Sequence, residues 1–284
     1  MAGIAPCLGA YSLSMDRLSS ESSGSSEHYG IKETSYHYFE EADAGSLAGA
    51  AARLSGACSA VYFGPESEGA FAAARKAELE RLGLEAVRSA PRMPAVFRGG
   101  EHDVFVLEDS SVSYVWKATL DGKYGMIMDE KKLLDPATFQ NRNKLTMRGA
   151  LPSEYLRRWA LLAEYFYMPT RYEGVILEAS LKEPRMVISQ PYIEQDDDDQ
   201  VSVEDIQAFM DAHAFKRVDA KHIAIKELGD VTWYRSSDGI LLTDAFPRNF
   251  RKDLSGRLFP IDLCVSVIPK ERSLILENPG SCVG

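Results

Sequence analysis

The chain has 284 residues and a formal net charge of −10, from 42 acidic and 32 basic side chains. Apolar residues make up 45% of the sequence, which is enough for a substantial core and favours a folded chain over an intrinsically disordered one. An acidic surface repels phosphate backbones, so nucleic acid is not expected as a large-area partner, although a local basic pocket is compatible with this total charge.

The sequence lacks the signals of a zinc-binding, secreted or membrane-spanning protein. Its four cysteines are Cys7, Cys58, Cys264 and Cys282. They contain no C-x-x-C pair and the five histidines have no zinc-ligand spacing, so free thiols in a reducing compartment are expected. The N-terminus lacks the basic segment of a secretory signal, and no apolar run is long enough to span a bilayer. We therefore expect a soluble, cytoplasmic protein with no membrane partner.

Residues 1–95 are predicted to form an N-terminal accessory or partner-binding region. It contains a flexible polar tract at Ser19–Ser26 and an alanine-rich, helix-compatible stretch at Ala42–Ala60. A clearer helix is predicted from about Glu66, with apolar residues at helical spacing and Gly83 at its end. No residue of this region has an assigned chemical role.

From Phe97 onward the pattern alternates between strands and a helix. Two strands joined by a polar turn at Glu108–Ser111 are predicted, and the second carries Lys117. The later elements are a helix over about Pro152–Tyr167, with Ser153 as its N-cap, and strands over Tyr172–Leu177 and Arg185–Gln190. This order predicts a small sheet with one helix packed on it.

The last third of the chain contains a helix and two hairpins. The acidic run Asp196–Asp199 favours a solvated linker over a cation site, because consecutive carboxylates without a glycine turn rarely enclose an ion. Ser202 is predicted to cap a helix over about Val203–His213, with Asp205 completing a capping box. One hairpin turns at Ser-Asp-Gly and the next at Asp253–Gly256.

Three polar residues around these hairpins have the spacing of a phosphoryl-transfer site. Asp244 and Asn249 are five positions apart (249 − 244), and Asp262 follows thirteen positions later (262 − 249). Protein kinases use D-x-x-x-x-N for the residue that orients the acceptor hydroxyl and for a metal ligand, and a second Asp after the next hairpin. The pattern predicts Asp244 as the catalytic residue and Asn249 and Asp262 as Mg²⁺ ligands.

A plain turn is the alternative interpretation of Asp244–Asn249, because Asp, Asn and Pro are common turn formers. Asp262 argues against it. This residue is placed within an apolar strand, 258–265, where a buried carboxylate needs a partner and a metal ion is a natural one. Spacing and burial together favour the functional interpretation.

The upstream half offers the remaining parts of such a site. Lys117 is predicted to hold the phosphates, although a lysine at the end of a strand is often only a surface residue. Its carboxylate partner is predicted to be Glu154 or Glu164, with Glu154 preferred. Gly99 and Gly100 precede the first strand and would let backbone amides approach phosphates, as would the later glycines Gly122 and Gly125.

The segments GGEHDVF, YVWKATL, SEYLRRW, SQPYI and LLTDAFPRN…GRLFPIDL resemble the kinase-like domain found in phage polyvalent proteins. That family is a compact offshoot of the protein-kinase fold, and the resemblance covers roughly Gly99–Leu263. It implies an ATP-dependent kinase in which Gln190 to Ile193 is the hinge that contacts adenine. The predicted fold is an α+β, two-lobed kinase-like domain over 96–284. Its N-lobe covers about 96–190, its hinge about 190–200 and its reduced C-lobe about 201–284.

The sequence departs from ordinary protein kinases near the catalytic residues. Leu242 and Thr243 stand where His-Arg precedes the catalytic Asp, and Leu263-Cys264 stand where Phe-Gly follows the second Asp. The lysine common two positions after the catalytic Asp is replaced by Phe246, and Arg248 is a candidate to supply that charge.

These departures leave two further functions open. The chain is expected to bind ATP and Mg²⁺ and to phosphorylate an acceptor, protein or small molecule, that the sequence does not name. One alternative is a catalytically inactive nucleotide-binding or interaction module. The other is transfer of AMP on the same fold. Because only 22 residues follow Asp262 (284 − 262), we expect neither an activation segment nor a large helical lobe.

Overall fold

Four helices, fourteen strands and short 3₁₀ turns make up the described part of the chain. The computed structural model describes residues 47–56, 68–89, 91, 94–109, 112–134, 139–195 and 200–268. The helices are α1 (47–55), α2 (Glu68–Leu82), α3 (Pro152–Phe166) and α4 (Val203–Ala212). The strands are β1 (Val87–Arg88), β2 (Phe97–Arg98), β3 (His102–Asp109), β4 (Val112–Thr119), β5 (Met126–Leu134), β6 (Asn141–Gly149), β7 (Arg171–Ile176), β8 (Arg185–Pro191), β9 (Lys216–Arg217), β10 (Trp233–Arg235), β11 (Ile240–Thr243), β12 (Phe250–Lys252), β13 (Leu258–Pro260) and β14 (Cys264–Val267). The tract at Ser19–Ser26 and the acidic run at Asp196–Asp199 lie outside the described residues.

A six-stranded sheet forms the N-terminal part of the described fold, with the strand order β1-β7-β8-β4-β3-β2. The four strands predicted from the sequence are confirmed, and they form two antiparallel pairs, β3 with β4 and β7 with β8. β8 also pairs with β4, which places Lys117 between Val104 and Ile188 in the middle of the sheet. Because both edges of β4 are paired, the Lys117 side chain projects from a face of the sheet and not from its edge.

α3 confirms the predicted helix and its apolar face. The residues of that face are all buried: Tyr155, Leu156, Trp159, Ala163 and Phe166. Its start differs from the prediction, because Leu151 is the N-cap and Pro152 occupies the first turn, where a missing N–H costs nothing. Ser153 instead donates its N–H (2.8 Å) and Oγ (2.7 Å) to Glu78, which ties α3 to α2.

The C-terminal part contains a four-stranded sheet with the order β14-β11-β10-β9 and a separate β12–β13 hairpin. Both predicted hairpins are confirmed, as is the predicted capping box of α4. In that box Ser202 Oγ accepts from the Asp205 N–H at 3.0 Å, and the Ser202 N–H donates to the Asp205 carboxylate at 2.9 Å. Gly239 closes the first hairpin with a φ of 74°, a conformation that glycine adopts without strain.

The β5–β6 ribbon was not predicted. Its strands pair over nine positions, from Met126 opposite Gly149 to Leu134 opposite Asn141. The side chains of β5 show four consecutive buried positions followed by four exposed ones, not the alternation of a half-buried strand. Because buried and exposed side chains do not alternate along β5, hydrophobic periodicity gives no strand signal for it.

The described residues before position 96 pack on the same hydrophobic core as the rest of the domain. Leu47, Leu54 and Leu82 are fully buried in one cluster with residues of α3 and of both sheets. β1 pairs in parallel with β7 and extends the large sheet. The described fold is therefore α+β, as predicted, with α1 and α2 as parts of it. None of the described helices is both long and apolar enough to cross a lipid bilayer.

Candidate functional site

Lys117 connects the six-stranded sheet to the C-terminal part of the chain. Its side chain is buried, with 5% of its surface exposed. The Nζ atom donates a 2.6 Å hydrogen bond to the carbonyl oxygen of Ile261 and lies 4.7 Å from the centre of the Trp159 ring. A cation over an aromatic face is stabilised by the ring quadrupole. These contacts hold the lysine side chain between the six-stranded sheet and the C-terminal part of the chain.

The surroundings of Lys117 also set its charge. Burial lowers the pKa of Lys117 to about 8, because the protein interior disfavours the charged form. The negative charge of Asp262 opposes this shift, while the positive charge of Arg158 adds to it. Lys117 therefore stays mostly protonated at neutral pH with little hydration, a state suited to binding a phosphate oxygen.

Asp262 lies in the bend between β13 and β14 and not within an apolar strand, so the predicted strand is wrong at this point. Its side chain is 33% exposed, so the prediction of a buried carboxylate is corrected to a partly exposed one. Desolvation by the surrounding protein raises the pKa of Asp262, but the charges of Lys117 and Arg158 outweigh it and keep that pKa below its usual range. Asp262 is an accessible carboxylate beside two cations.

Arg158 of α3 joins two carboxylates at this position. Its side chain is 5% exposed. Nη2 donates to Oε2 of Glu101 at 3.0 Å and to Oδ1 of Asp262 at 3.2 Å. Burial lowers the pKa of Arg158, but the negative charges of Glu101 and Asp262 outweigh this effect and raise that pKa above its ordinary value. The site therefore contains a permanent buried cation that the sequence did not predict.

The loop after β11 holds Asp244 and Asn249 close to Asp262. Asp244 has a φ of 62°, in the left-handed region that Asp tolerates better than most residues. Its carbonyl oxygen accepts hydrogen bonds from the Phe246 N–H (2.8 Å) and from Nδ2 of Asn249 (2.7 Å). The Asn249 carbonyl accepts in turn from the Ile261 N–H at 2.8 Å. These bonds tie the loop to the bend that carries Asp262.

The Asp244 carboxylate is partly accessible and carries one ion pair. Nη2 of Arg248 lies 3.1 Å from its Oδ1. Burial is the largest influence and raises the pKa of Asp244; Arg248 and Asn249 lower it, and the negative charges of Asp262 and Glu101 raise it further. The net shift is upward, which makes Asp244 a better proton acceptor than an isolated aspartate.

Glu154 does not pair with Lys117. Its two oxygens accept hydrogen bonds from the Arg148 guanidinium at 2.6 and 2.7 Å, and one also accepts from the Leu151 N–H at 2.8 Å. Glu164, the alternative partner, is exposed. The structure therefore replaces the predicted Lys117–Glu154 pair with an Arg148–Glu154 pair that caps α3.

The glycine pair Gly99–Gly100 forms the turn between β2 and β3. The Gly99 N–H donates to the His102 carbonyl at 2.8 Å. A Cβ atom added at Gly100 would meet no atom within 4 Å, so the space beside this residue is open. The turn delivers Glu101 to Arg158, and its predicted contact with phosphates stays a prediction.

The predicted hinge connects β8 to α4. Gln190 is buried in β8 and donates from Nε2 to Oγ1 of Thr170 at 3.0 Å. Ile193 is also buried, and between them the Tyr192 N–H donates to the Ser113 carbonyl at 2.9 Å. This segment leads from the six-stranded sheet to the C-terminal part. Its contact with adenine stays a prediction.

His102 adds a buried imidazole beside the carboxylates. Its Nε2 lies 3.0 Å from the hydroxyl oxygen of Tyr155. Burial lowers the pKa of His102 to about 4, against the opposing charge of Asp262, so the ring is neutral at pH 7. A neutral imidazole is a metal donor as well as a hydrogen-bonding group.

Several side chains here have the donor atoms that a divalent cation needs. One ligand atom each from Glu101, His102 and Asp262 lies within 4.8 Å of the others. Asn249 uses Nδ2 for the Asp244 carbonyl, so its Oδ1 is the amide atom left to accept a cation. Carboxylate and amide oxygens are the donors that Mg²⁺ prefers, so the residues present fit the predicted ion.

Comparisons of the chain with protein-family models, with curated proteins and with solved structures give no match. The resemblance to the kinase-like domain of phage polyvalent proteins therefore stays a prediction.

Sequence reasoning missed Glu101, His102 and Arg158. Arg158 had a usable signal, because it lies three residues after Tyr155 and four before Leu162, both of which are buried. A charged residue on the apolar stripe of a helix needs a buried partner. Glu101 has no such local signal, since it simply follows two glycines.

Proposed function

We propose that this chain is an ATP- and Mg²⁺-dependent phosphotransferase on a compact, two-lobed, kinase-like fold. The observation that carries the proposal is the convergence of four side chains from three separate segments, β4, the loop after β11 and the bend between β13 and β14. They are Lys117, Asp244, Asn249 and Asp262. A buried cation beside accessible carboxylate and amide oxygens is what a metal–triphosphate complex requires.

Each side chain has a distinct role in this proposal. Lys117 binds a phosphate oxygen, and the oxygens of Asn249 and Asp262 hold Mg²⁺. When bound, Mg²⁺ neutralises charge on the phosphates. Asp244 orients the acceptor hydroxyl and accepts its proton. The bond from the γ-phosphorus to the bridging oxygen of ATP breaks, a bond from that phosphorus to the acceptor oxygen forms, and ADP leaves.

Other residues support the same arrangement. The open space beside Gly100 offers room for the phosphates. The segment Gln190 to Ile193, whose Tyr192 N–H is bonded to the Ser113 carbonyl, would lie against adenine. Arg248 stabilises the charge of Asp244 from the exposed side. Glu154 stabilises the start of α3 and has no direct role in transfer. The phosphoacceptor, a protein or a small molecule, is not specified by these residues.

Labelled ATP tests this proposal directly. The full-length chain is incubated with Mg²⁺ and either γ-labelled or α-labelled ATP, with Asp262→Asn as the inactive control. Release or transfer of the γ label by the wild type alone is the expected result. Transfer of the α label would mean AMP transfer. No label transfer and no thermal stabilisation by millimolar ATP with Mg²⁺ would favour an inactive interaction module.

A further inference from the structure

Glu101 and Asp262 form a close carboxylate pair that needs a cation. Their ligand atoms lie within 4.8 Å of each other, together with one atom of His102. Glu101 is fixed in this position because its other oxygen, Oε1, accepts from the Met126 N–H at 3.1 Å. Two carboxylates at this separation repel each other strongly unless a positive charge lies between them.

Arg158 supplies that charge through a single atom. Nη2 donates to both carboxylates, at 3.0 Å and 3.2 Å. The guanidinium is 95% buried and lies 5.1 Å from the centre of the Trp159 ring, and its Nε has no hydrogen-bond partner among the described residues. Burying an arginine with an unsatisfied N–H costs free energy. The ion pairs with the two carboxylates offset that cost and keep Arg158 in this position.

We propose that Arg158 is the resident counter-cation of the Glu101–Asp262 pair, and that this pair is a divalent-cation site which free metal ions enter only when Arg158 is removed or displaced. This inference goes beyond the proposed function, since it concerns free metal ions at Oδ1 of Asp262, the oxygen that Arg158 occupies. The Mg²⁺ of the proposed function arrives with ATP and is held by Asn249 and the other oxygen of Asp262. It holds whether or not the chain transfers phosphate.

Competition between the guanidinium and the metal ion is the physical basis. A divalent ion on Oε2 of Glu101 and Oδ1 of Asp262 would occupy the position of Nη2 and would be repelled by the remaining charge of Arg158. Replacement of Arg158 by methionine leaves two carboxylates and the neutral imidazole of His102 around the same point. A nitrogen donor favours Mn²⁺ over Mg²⁺ and Ca²⁺ at such a site.

Titration of the full-length protein with Mn²⁺ alone, without nucleotide, tests the proposal. Arg158→Met is expected to bind Mn²⁺ about tenfold or more tightly than the wild type, because a competing charge at contact distance is removed. Arg157→Met is the matched control, since Arg157 is the neighbouring arginine but is exposed. Both Arg157→Met and the charge-preserving Arg158→Lys are expected to bind Mn²⁺ as weakly as the wild type.

A second variant shows whether the carboxylate pair is the site. Adding Glu101→Gln to Arg158→Met is expected to abolish the gain in Mn²⁺ affinity. Equal Mn²⁺ affinity of the wild type and Arg158→Met, or a gain that survives Glu101→Gln, would overturn the proposal.

A stability measurement tests the proposal even if Arg158→Met does not fold. If Arg158→Met is unfolded without metal, its thermal melting transition is followed with and without Mn²⁺. Recovery of a cooperative transition in Mn²⁺ supports the proposal, because the ion then replaces the missing charge. A chain that stays unfolded in Mn²⁺ contradicts it.

Discussion

The Nζ atom of Lys117 donates a 2.6 Å hydrogen bond to the carbonyl oxygen of Ile261, the residue before Asp262. This bond joins the middle of the six-stranded sheet to the bend between β13 and β14. It holds a buried cation and an accessible carboxylate at one point. Substitutions at either end are therefore expected to change the binding of a phosphate-bearing ligand.

Asp262→Asn is expected to reduce transfer from ATP by about 100-fold or more, because it removes the charge that holds Mg²⁺ while keeping the shape of the side chain. The amide oxygen can still accept from Arg158, so the fold should persist. Nucleotide titration in Mg²⁺ and a thermal melt measure the two effects. Full activity, or an unfolded chain, would contradict the assigned role of Asp262.

Asp244→Asn is expected to bind nucleotide nearly as well as the wild type and to transfer phosphate roughly 100-fold to 10,000-fold more slowly, the range for loss of a general base. Asparagine is the appropriate substitution because it tolerates the left-handed conformation of Asp244. Slow ATP hydrolysis serves as the assay until an acceptor is known. A loss of nucleotide binding as complete as that of Asp262→Asn would mean that the two roles are assigned wrongly.

Lys117→Met separates nucleotide binding from stability. A charged hydrogen bond to a phosphate contributes about 1.5 to 3 kcal/mol, so nucleotide affinity is expected to fall by about tenfold or more. The melting temperature should change little, because the loss of the hydrogen bond to Ile261 is offset by removing a charge whose burial is costly, as the lowered pKa of Lys117 indicates. Unchanged nucleotide affinity would remove Lys117 from the site.

Glu154→Gln tests the revised role of this glutamate. The change weakens two hydrogen bonds to Arg148, and we expect a loss of about 1 to 3 kcal/mol in the free energy of unfolding, measured with urea. Nucleotide affinity should change little. A selective loss of nucleotide binding without a change in stability would restore the predicted pairing with Lys117.

His102 is expected to make stability depend on pH. Its pKa is about 4 in the folded protein, below the ordinary value of 6.5, because burial disfavours the charged ring. The unfolded chain therefore binds more protons between these two values, and the free energy of unfolding rises with pH across this window. The contribution is full above about pH 6.5 and amounts to about 3 kcal/mol at most.

His102→Gln provides the control for this pH dependence. Glutamine retains a polar group facing Tyr155 but does not titrate. The wild type should lose more stability than His102→Gln when urea unfolding is compared at pH 6.5 and pH 4.5. Parallel losses in the two proteins would show that His102 is not the group responsible.

The sequence by itself determined the features that follow local rules. The spacing of Asp244, Asn249 and Asp262 could be recognised from the sequence, because the lengths of one loop and one hairpin determine how far apart these residues lie along the chain. The capping box at Ser202 and the apolar face of α3 were readable because side-chain periodicity and capping depend on residues within a turn or two. The α+β class followed from the same local patterns.

Only the tertiary structure decided which charged groups meet. Glu154 pairs with Arg148, and Arg158 bridges Glu101 and Asp262, residues 57 and 104 positions away from it. Such partners are chosen by the relative placement of distant segments. The energy of an ion pair depends on the distance between the two charges in three dimensions, and spacing along the chain does not specify that distance for remote segments.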